Sequence, residues 1–201
     1  VNPQVLFDGE PLHKFQEMGY KIVLFVGRIT VQKGPDYFIK VAEIVLKYYP
    51  KVIFVVVGSG EMEYQLIEQA ATLGISDKVL FAGFLRGEEL KRVYRMADLF
   101  VMPSVSEPFG MTALESVING TPVLISKQSG VSEVLNHALK VDFWDIEEMA
   151  NKILAVLNYS ALAVTLKDEA YREINGQTWK NAADKVLGVY RKFLDSHFLK
   201  N

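Results

Sequence analysis

The chain contains no cysteine. Disulfides, thiolate metal sites, iron–sulfur clusters and cysteine nucleophiles are thereby excluded together. A cysteine-free chain suits the cytoplasm, which is the expected location, with a membrane-peripheral setting for the full-length form as the variant of it. Histidine is almost as scarce. The three residues His13, His137 and His197 lie far apart, and no D-x-D metal motif occurs, so no metal requirement is expected. Long apolar runs are lacking as well. The longest, such as Val52–Val57, are strand-sized and far short of the ~20 residues a membrane-spanning helix needs. The opening residues VNPQVLFDGEP have neither the basic start nor the apolar stretch of a secretion signal. Nor is there an excess of charge of one sign: 22 Lys+Arg against 24 Asp+Glu leave a net charge of −2. That balance argues against a general nucleic-acid-coating role.

What is present is a globular composition, 50% hydrophobic and 23% charged over 201 residues. This is enough chain to bury a core without staples. Short β-rich runs alternate with longer helical patterns. Strands are expected at 21–26 (KIVLFV), 52–57 (VIFVVV), 78–81, 99–102 (LFVM) and 122–125, with a short sixth beginning at 140–141. Several are apolar at every position, as a parallel strand reads when helices cover both faces of its sheet. Helical periodicity runs over 35–49, 61–73, 88–96, 110–119, 146–157 and 179–193. Alternating strands and helices imply right-handed βαβ units in a doubly wound, mostly parallel α/β sheet of about six strands. With no internal repeat and no Ser/Gly linker, one domain is expected over residues 21–201, led in by a segment at 1–20 and closed by helices after Asp145.

Ligands of such sheets sit beyond the carboxyl ends of the strands, and glycines and charges gather there. The first loop, Gly27-Arg28-Ile-Thr-Val-Gln-Lys33-Gly34, places two cations beside glycines that let the backbone approach a bulky anion. Alone, Arg28 and Lys33 also read as two solvated cations at a turn. Gly58-Ser59-Gly60 is a weak signal: Glu63 stands where the dinucleotide fingerprint needs a third glycine. The fourth loop, Glu107-Pro-Phe109-Gly110-Met111-Thr112-Ala-Leu-Glu115, says most. Pro108 and Gly110 shape a tight entry into a helix, and the N–H groups of Gly110, Met111 and Thr112 face the rim, where anions and hydroxyl oxygens are favoured. Glu107 precedes that helix and Glu115 lies more than a turn inside it. Two such carboxylates suit bidentate hydrogen bonding to sugar hydroxyls.

GRITVQKG, then GSG, then EPFGMTALE resembles the donor-binding domain of retaining glycosyltransferases of the GT-B fold. Within these it is most similar to glycosyltransferase family 4, with its glycogen and starch synthase, sucrose synthase and mannosyltransferase relatives. The resemblance runs from about Lys21 to the end of the chain and implies a Rossmann-like domain forming one half of a GT-B enzyme. It implies that Arg28 and Lys33 grip a nucleotide diphosphate between Gly27 and Gly34, with Gly58 on the neighbouring turn. It implies that Glu107 reaches hydroxyls of the donor sugar, that Phe109, Gly110, Met111 and Thr112 lie along sugar and phosphate, and that Glu115 accepts hydrogen bonds from the ribose. Phe84, Leu85 and Arg86 fall where relatives hold the base, largely through backbone and packing. Ser129-Gly130-Val131-Ser132-Glu133-Val134 resembles a Gly-rich segment, with Ser129 replacing its first glycine and His137-Ala138 standing where many members have a glycine turn. The implied substrate is a nucleoside diphosphate hexose (ADP-, UDP- or GDP-linked, glucosyl by preference), with no cofactor. The resemblance further implies a partner domain ahead of Val1 that binds the acceptor, with 1–20 as the tail of the linker, and an isolated chain inactive by itself.

Two readings from other classes stand beside it. A glycoside hydrolase would use Glu107 and Glu115 as carboxylates ~5–10 Å apart across one bond. A non-catalytic module would bind nucleotide without turnover. A dehydrogenase fits poorly without the dinucleotide fingerprint. His137 reads as a turn residue, His13 and His197 as surface residues, Trp144 and Trp179 as helix-packing anchors, and the methionines as core filler.

Overall fold

Strands β1 (Lys21–Val26), β2 (Val52–Val57), β3 (Val79–Gly83), β4 (Leu99–Met102), β5 (Val123–Ser126) and β6 (Leu139–Val141) form one sheet. The structure is a computed structural model that describes residues 10–175 and 179–198. The strand order is β3-β2-β1-β4-β5-β6, and every pairing is parallel. The β1–β2 ladder runs in register from Lys21↔Val52 to Val26↔Val57. The expected sixth strand is real, and the third runs on to Gly83.

The sheet divides its side chains by parity. Val23, Phe25, Phe54, Val56, Leu99 and Val101 point into one core. Ile22, Leu24, Ile53, Val55, Phe100 and Met102 point into the other. Both cores need helical cover, which is why these strands read as unbroken apolar runs. Helices α2 (Pro35–Tyr48), α3 (Glu63–Thr72) and α6 (Ile146–Asn158) supply buried residues to the first core. Helices α4 (Gly87–Met96) and α5 (Met111–Ile118) cover the second.

The chain differs from its sequence reading in four places. Helix α1 (Glu10–Glu17) precedes β1, with Leu12 wholly buried in the second core and the Gln16 amide donating to the Met96 carbonyl at 3.1 Å. This helix lies inside the expected lead-in segment 1–20 and touches the domain through Leu12 and Gln16. Helix α7 (Ser160–Asn175) was not expected at all. Only Ala170 of it is buried, so its apolar period is faint, and it leaves α6 at 100°. Trp144 is no packing anchor: it is 57% exposed, with its ring edge-on to Phe143. Of the methionines, Met62, Met96, Met102 and Met149 fill the cores, but Met18 and Met111 are exposed. Helix α8 (Trp179–Phe198) closes the chain, while the side chains of Trp179 and His197 lie outside the described residues. Among the described residues no single helix is long and apolar enough to cross a membrane.

Candidate active site

The strand order reverses between β1 and β4, which lie side by side. The chain leaves β1 toward β2 on one side and returns to β4 on the other, so the loops beyond these two strands part and leave a crevice at their carboxyl ends. The β1–α2 loop runs through a 3-10 turn, Val31–Lys33, to Gly34. The β4–α5 loop meets it directly, with the N–H groups of Val105 and Ser106 both donating to the Gln32 carbonyl.

Backbone approaches too close for a side chain hold these loops. Gly34 has φ +64, and a Cβ there would sit 2.1 Å from the Pro103 carbonyl oxygen. Gly58 has φ +139, and its Cβ would lie 1.9 Å from the Gly27 carbonyl oxygen. Ile29 N–H then donates to Ser59 O, and Met62 N–H to Ile29 O. Gly58-Ser59-Gly60 is thus a packing device that pins the first loop.

Lys33 and Glu107 form a salt bridge with side chains only 20% and 12% exposed. They are 74 positions apart in the chain. Glu107 is gripped through its backbone too: its carbonyl accepts the Gly130 N–H at 2.9 Å, and it bridges to Ser129 beyond β5. Beside this pair lies a cavity of about 250 Å³ lined by Phe25, Gly27, Lys33, Ser104, Glu107 and the 108–112 turn. Helix α5 begins at that turn. Gly110 precedes it at φ 108, no side chain caps it, and its first turn holds no acidic residue. Its N-terminal N–H groups and dipole are therefore available to a ligand oxygen. Among the described residues no three His, Asp or Glu side chains cluster so as to hold a metal ion.

The structure gathers Gly27, Lys33, Glu107, Phe109, Gly110, Met111 and Thr112 around one cavity. The other candidates stand around it. Arg28 is exposed on the same loop. Phe84 is 71% exposed beyond β3, next to an exposed Arg86. Leu85 is buried in the second core, so it can offer a ligand only backbone. Glu115 is half-buried on α5 and accepts a hydrogen bond from the Tyr94 hydroxyl at 3.2 Å. Burial and the adjacent Glu115 carboxylate push the Tyr94 phenol far above its ordinary range, so it stays protonated and keeps donating. Tyr94 and Ser104 escaped the sequence reading. A tyrosine on the core face of an amphipathic helix was the available signal, because its hydroxyl needs a buried partner. Ser104 gave no signal beyond its place after a strand.

A family model described as glycosyl transferases group 1 matches residues 12–173. An uncharacterized glycosyltransferase of Methanocaldococcus jannaschii is 35% identical over 176 residues, covering 85% of this chain and 45% of that protein. A D-inositol 3-phosphate glycosyltransferase of Salinispora tropica is 34% identical over 193 residues, covering 90% of this chain and 40% of that protein. The chain spans less than half the length of these relatives. A crystal structure of Anabaena HepE in complex with UDP and glucose superimposes with a TM-score of 0.76 at 20% identity, covering 92% of this chain and 53% of that one. At that identity the likeness is one of fold, a Rossmann-like sheet of the kind found in GT-B glycosyltransferases.

Proposed function

Because this chain belongs to the glycosyl transferases group 1 family, we propose that it is the donor-binding part of a retaining hexosyltransferase of glycosyltransferase family 4. It takes a nucleoside diphosphate hexose. The acceptor hydroxyl is brought by protein outside these residues, so the chain alone binds donor without turnover. The observation that carries this reading is the meeting of Lys33, Glu107 and the uncapped α5 N-terminus at one cavity on the sheet's switch point. The HepE complex, whose ligands are UDP and glucose, supports the class of donor.

In the proposed reaction the bond from C1 of the sugar to the phosphate oxygen breaks, and its electron pair leaves with the diphosphate. The acceptor oxygen bonds to C1 on the face the diphosphate departs from, and its proton passes to the leaving phosphate. Lys33, Arg28 and the α5 N–H groups stabilise the charge that develops on the diphosphate, without a metal. Glu107 accepts hydrogen bonds from sugar hydroxyls and Glu115 from the ribose. A hydrolase pair is disfavoured because Glu115 lies outside the cavity that Glu107 lines.

Calorimetric titration with ADP, UDP, GDP and their glucose and mannose conjugates tests this. One nucleotide should bind, and Lys33→Ala should weaken it by about 1–3 kcal/mol, the range for a charged hydrogen bond. Binding undiminished in Lys33→Ala would overturn the diphosphate clamp. Transfer activity should appear only when the acceptor-binding part is present, and should survive EDTA.

A further inference from the structure

Among the described residues two buried hydroxyls have no hydrogen-bond partner, Thr30 Oγ1 and Ser104 Oγ. The other wholly buried serines are satisfied: Ser116 donates to the Thr121 carbonyl at 3.2 Å, Ser126 to Gln128 at 2.8 Å and Ser129 to the Ser126 carbonyl at 2.6 Å. A buried hydroxyl left without a partner destabilises the fold, and beside a cavity a ligand that arrives later can supply the missing acceptor. Ser104 differs from Thr30 in one respect. It is 0% exposed, yet it lines the cavity with Lys33, Glu107 and Thr112.

We infer that Ser104 is a further donor-contacting residue, its Oγ–H donating to an oxygen of the phosphoryl group that carries the sugar. The inference rests on the donor-site reading above and adds a residue to it. The lining of the cavity favours a phosphate over a sugar hydroxyl. Lys33 and the α5 N-terminus both present donors. Glu107 is the carboxylate of that lining, and it is released to hydroxyl donors when Lys33, its partner here, turns to a phosphate. A phosphoryl group has only acceptor oxygens, so it satisfies an O–H that has nothing to give its proton to. A sugar hydroxyl needs acceptors as well, and these come from Glu107.

The test is Ser104→Ala in the 201-residue chain, with Ser104→Cys as a variant close to native volume. Thermal unfolding without ligand should give Ser104→Ala a melting temperature equal to or above that of the wild type, because an unsatisfied hydroxyl is removed. Its affinity for whichever of ADP, UDP or GDP the wild type binds should fall about tenfold. Affinity for the corresponding monophosphate should be unchanged, and Ser104→Cys should lose most of the same diphosphate affinity. A lower melting temperature with unchanged diphosphate affinity would show a structural hydroxyl and overturn the inference. Equal losses for mono- and diphosphate would also overturn it, by moving the contact away from the sugar-bearing phosphate. A wild-type chain that binds none of the three nucleotides would overturn the donor-site reading and this inference with it. Wild-type binding matched by both variants would overturn the role of Ser104 alone.

Discussion

Lys33 and Glu107 each occupy the other in this structure. A diphosphate that draws Lys33 to itself must part the pair, and the freed carboxylate is then left beside the ligand, ready for hydroxyl donors. Charge neutralisation at Glu107 separates these two events. Glu107→Gln should lower the stability of the unliganded chain by about 2 kcal/mol, because Lys33 is largely buried and loses its counter-charge. The same variant should bind nucleoside diphosphate at least as tightly as the wild type, and should lose the preference for the sugar conjugate over the bare diphosphate. Thermal unfolding and calorimetry on the one variant check both halves. If Glu107→Gln weakens bare diphosphate as much as Lys33→Ala does, the two residues act as one unit and the division of roles fails. Glu115 has a different device. Its partner Tyr94 keeps its proton, so the phenol fixes the carboxylate without competing for ligand donors.

The loops that carry these side chains are held by backbone packed on backbone. Gly58 sits at φ +139 against the Gly27 carbonyl, and Gly74, at the end of α3, has φ +70 with nothing within 4 Å of its virtual Cβ. The two positions separate conformational strain from collision. Gly74→Ala should cost about 1 kcal/mol, the conformational penalty alone. Gly58→Ala should cost about 3 kcal/mol or more, since the β1–α2 loop has to move away as well, and it should reduce nucleotide affinity although Gly58 does not line the cavity. Denaturant unfolding of the two variants, side by side with nucleotide titration, measures this. Equal costs at the two positions would mean that the GSG turn does not set the position of the first loop. Helix α5 has the complementary role. With glycine before it and no acidic residue in its first turn, its dipole is not spent on its own side chains.

Across the molecule, α7 ties the turn at 136–137 to the second core. Helix α7 packs against α5, and its Glu173 accepts the backbone N–H groups of Asn136 at 2.9 Å and His137 at 3.0 Å and pairs with His137 Nδ1 at 3.0 Å. The turn residue His137 is thereby fastened to the C-terminal helices. Burial pushes the Glu173 carboxyl up, but the His137 and Asn136 hydrogen bonds outweigh it and hold the carboxyl below its ordinary value. A depressed carboxylate contributes stability that is complete above its unfolded pKa of about 4.5 and is lost as pH falls through the folded value. Melting temperature measured between pH 7 and pH 3 should fall less steeply in Glu173→Gln than in the wild type. At pH 7 the variant should melt several degrees lower, for the loss of one charged set of hydrogen bonds. Parallel curves for the two proteins would show that this tether carries no pH-dependent stability.

Strand number, the alternation of strands with helices from β1 to α6 and the parallel doubly wound class were legible in the sequence. The central strands β1, β2, β4 and β5 are buried on both faces, and unbroken runs such as VIFVVV have few other uses. The loops that bear the candidate residues were legible as well, because glycine, proline and charge gather where backbone must turn or approach. Local pattern could not reveal α1 and α7, whose burial comes down to a few contacts such as Leu12 and Ala170. It could not reveal that Lys33 and Glu107 neutralise one another, that Glu115 leans on Tyr94, or that Ser104 is left without a partner. Those facts depend on residues distant in the chain being brought together at the ends of β1 and β4. A sequence records what each segment prefers by itself, whereas ion pairs, unsatisfied hydroxyls and cavities exist only between segments, and the packing of the sheet decides which of them form.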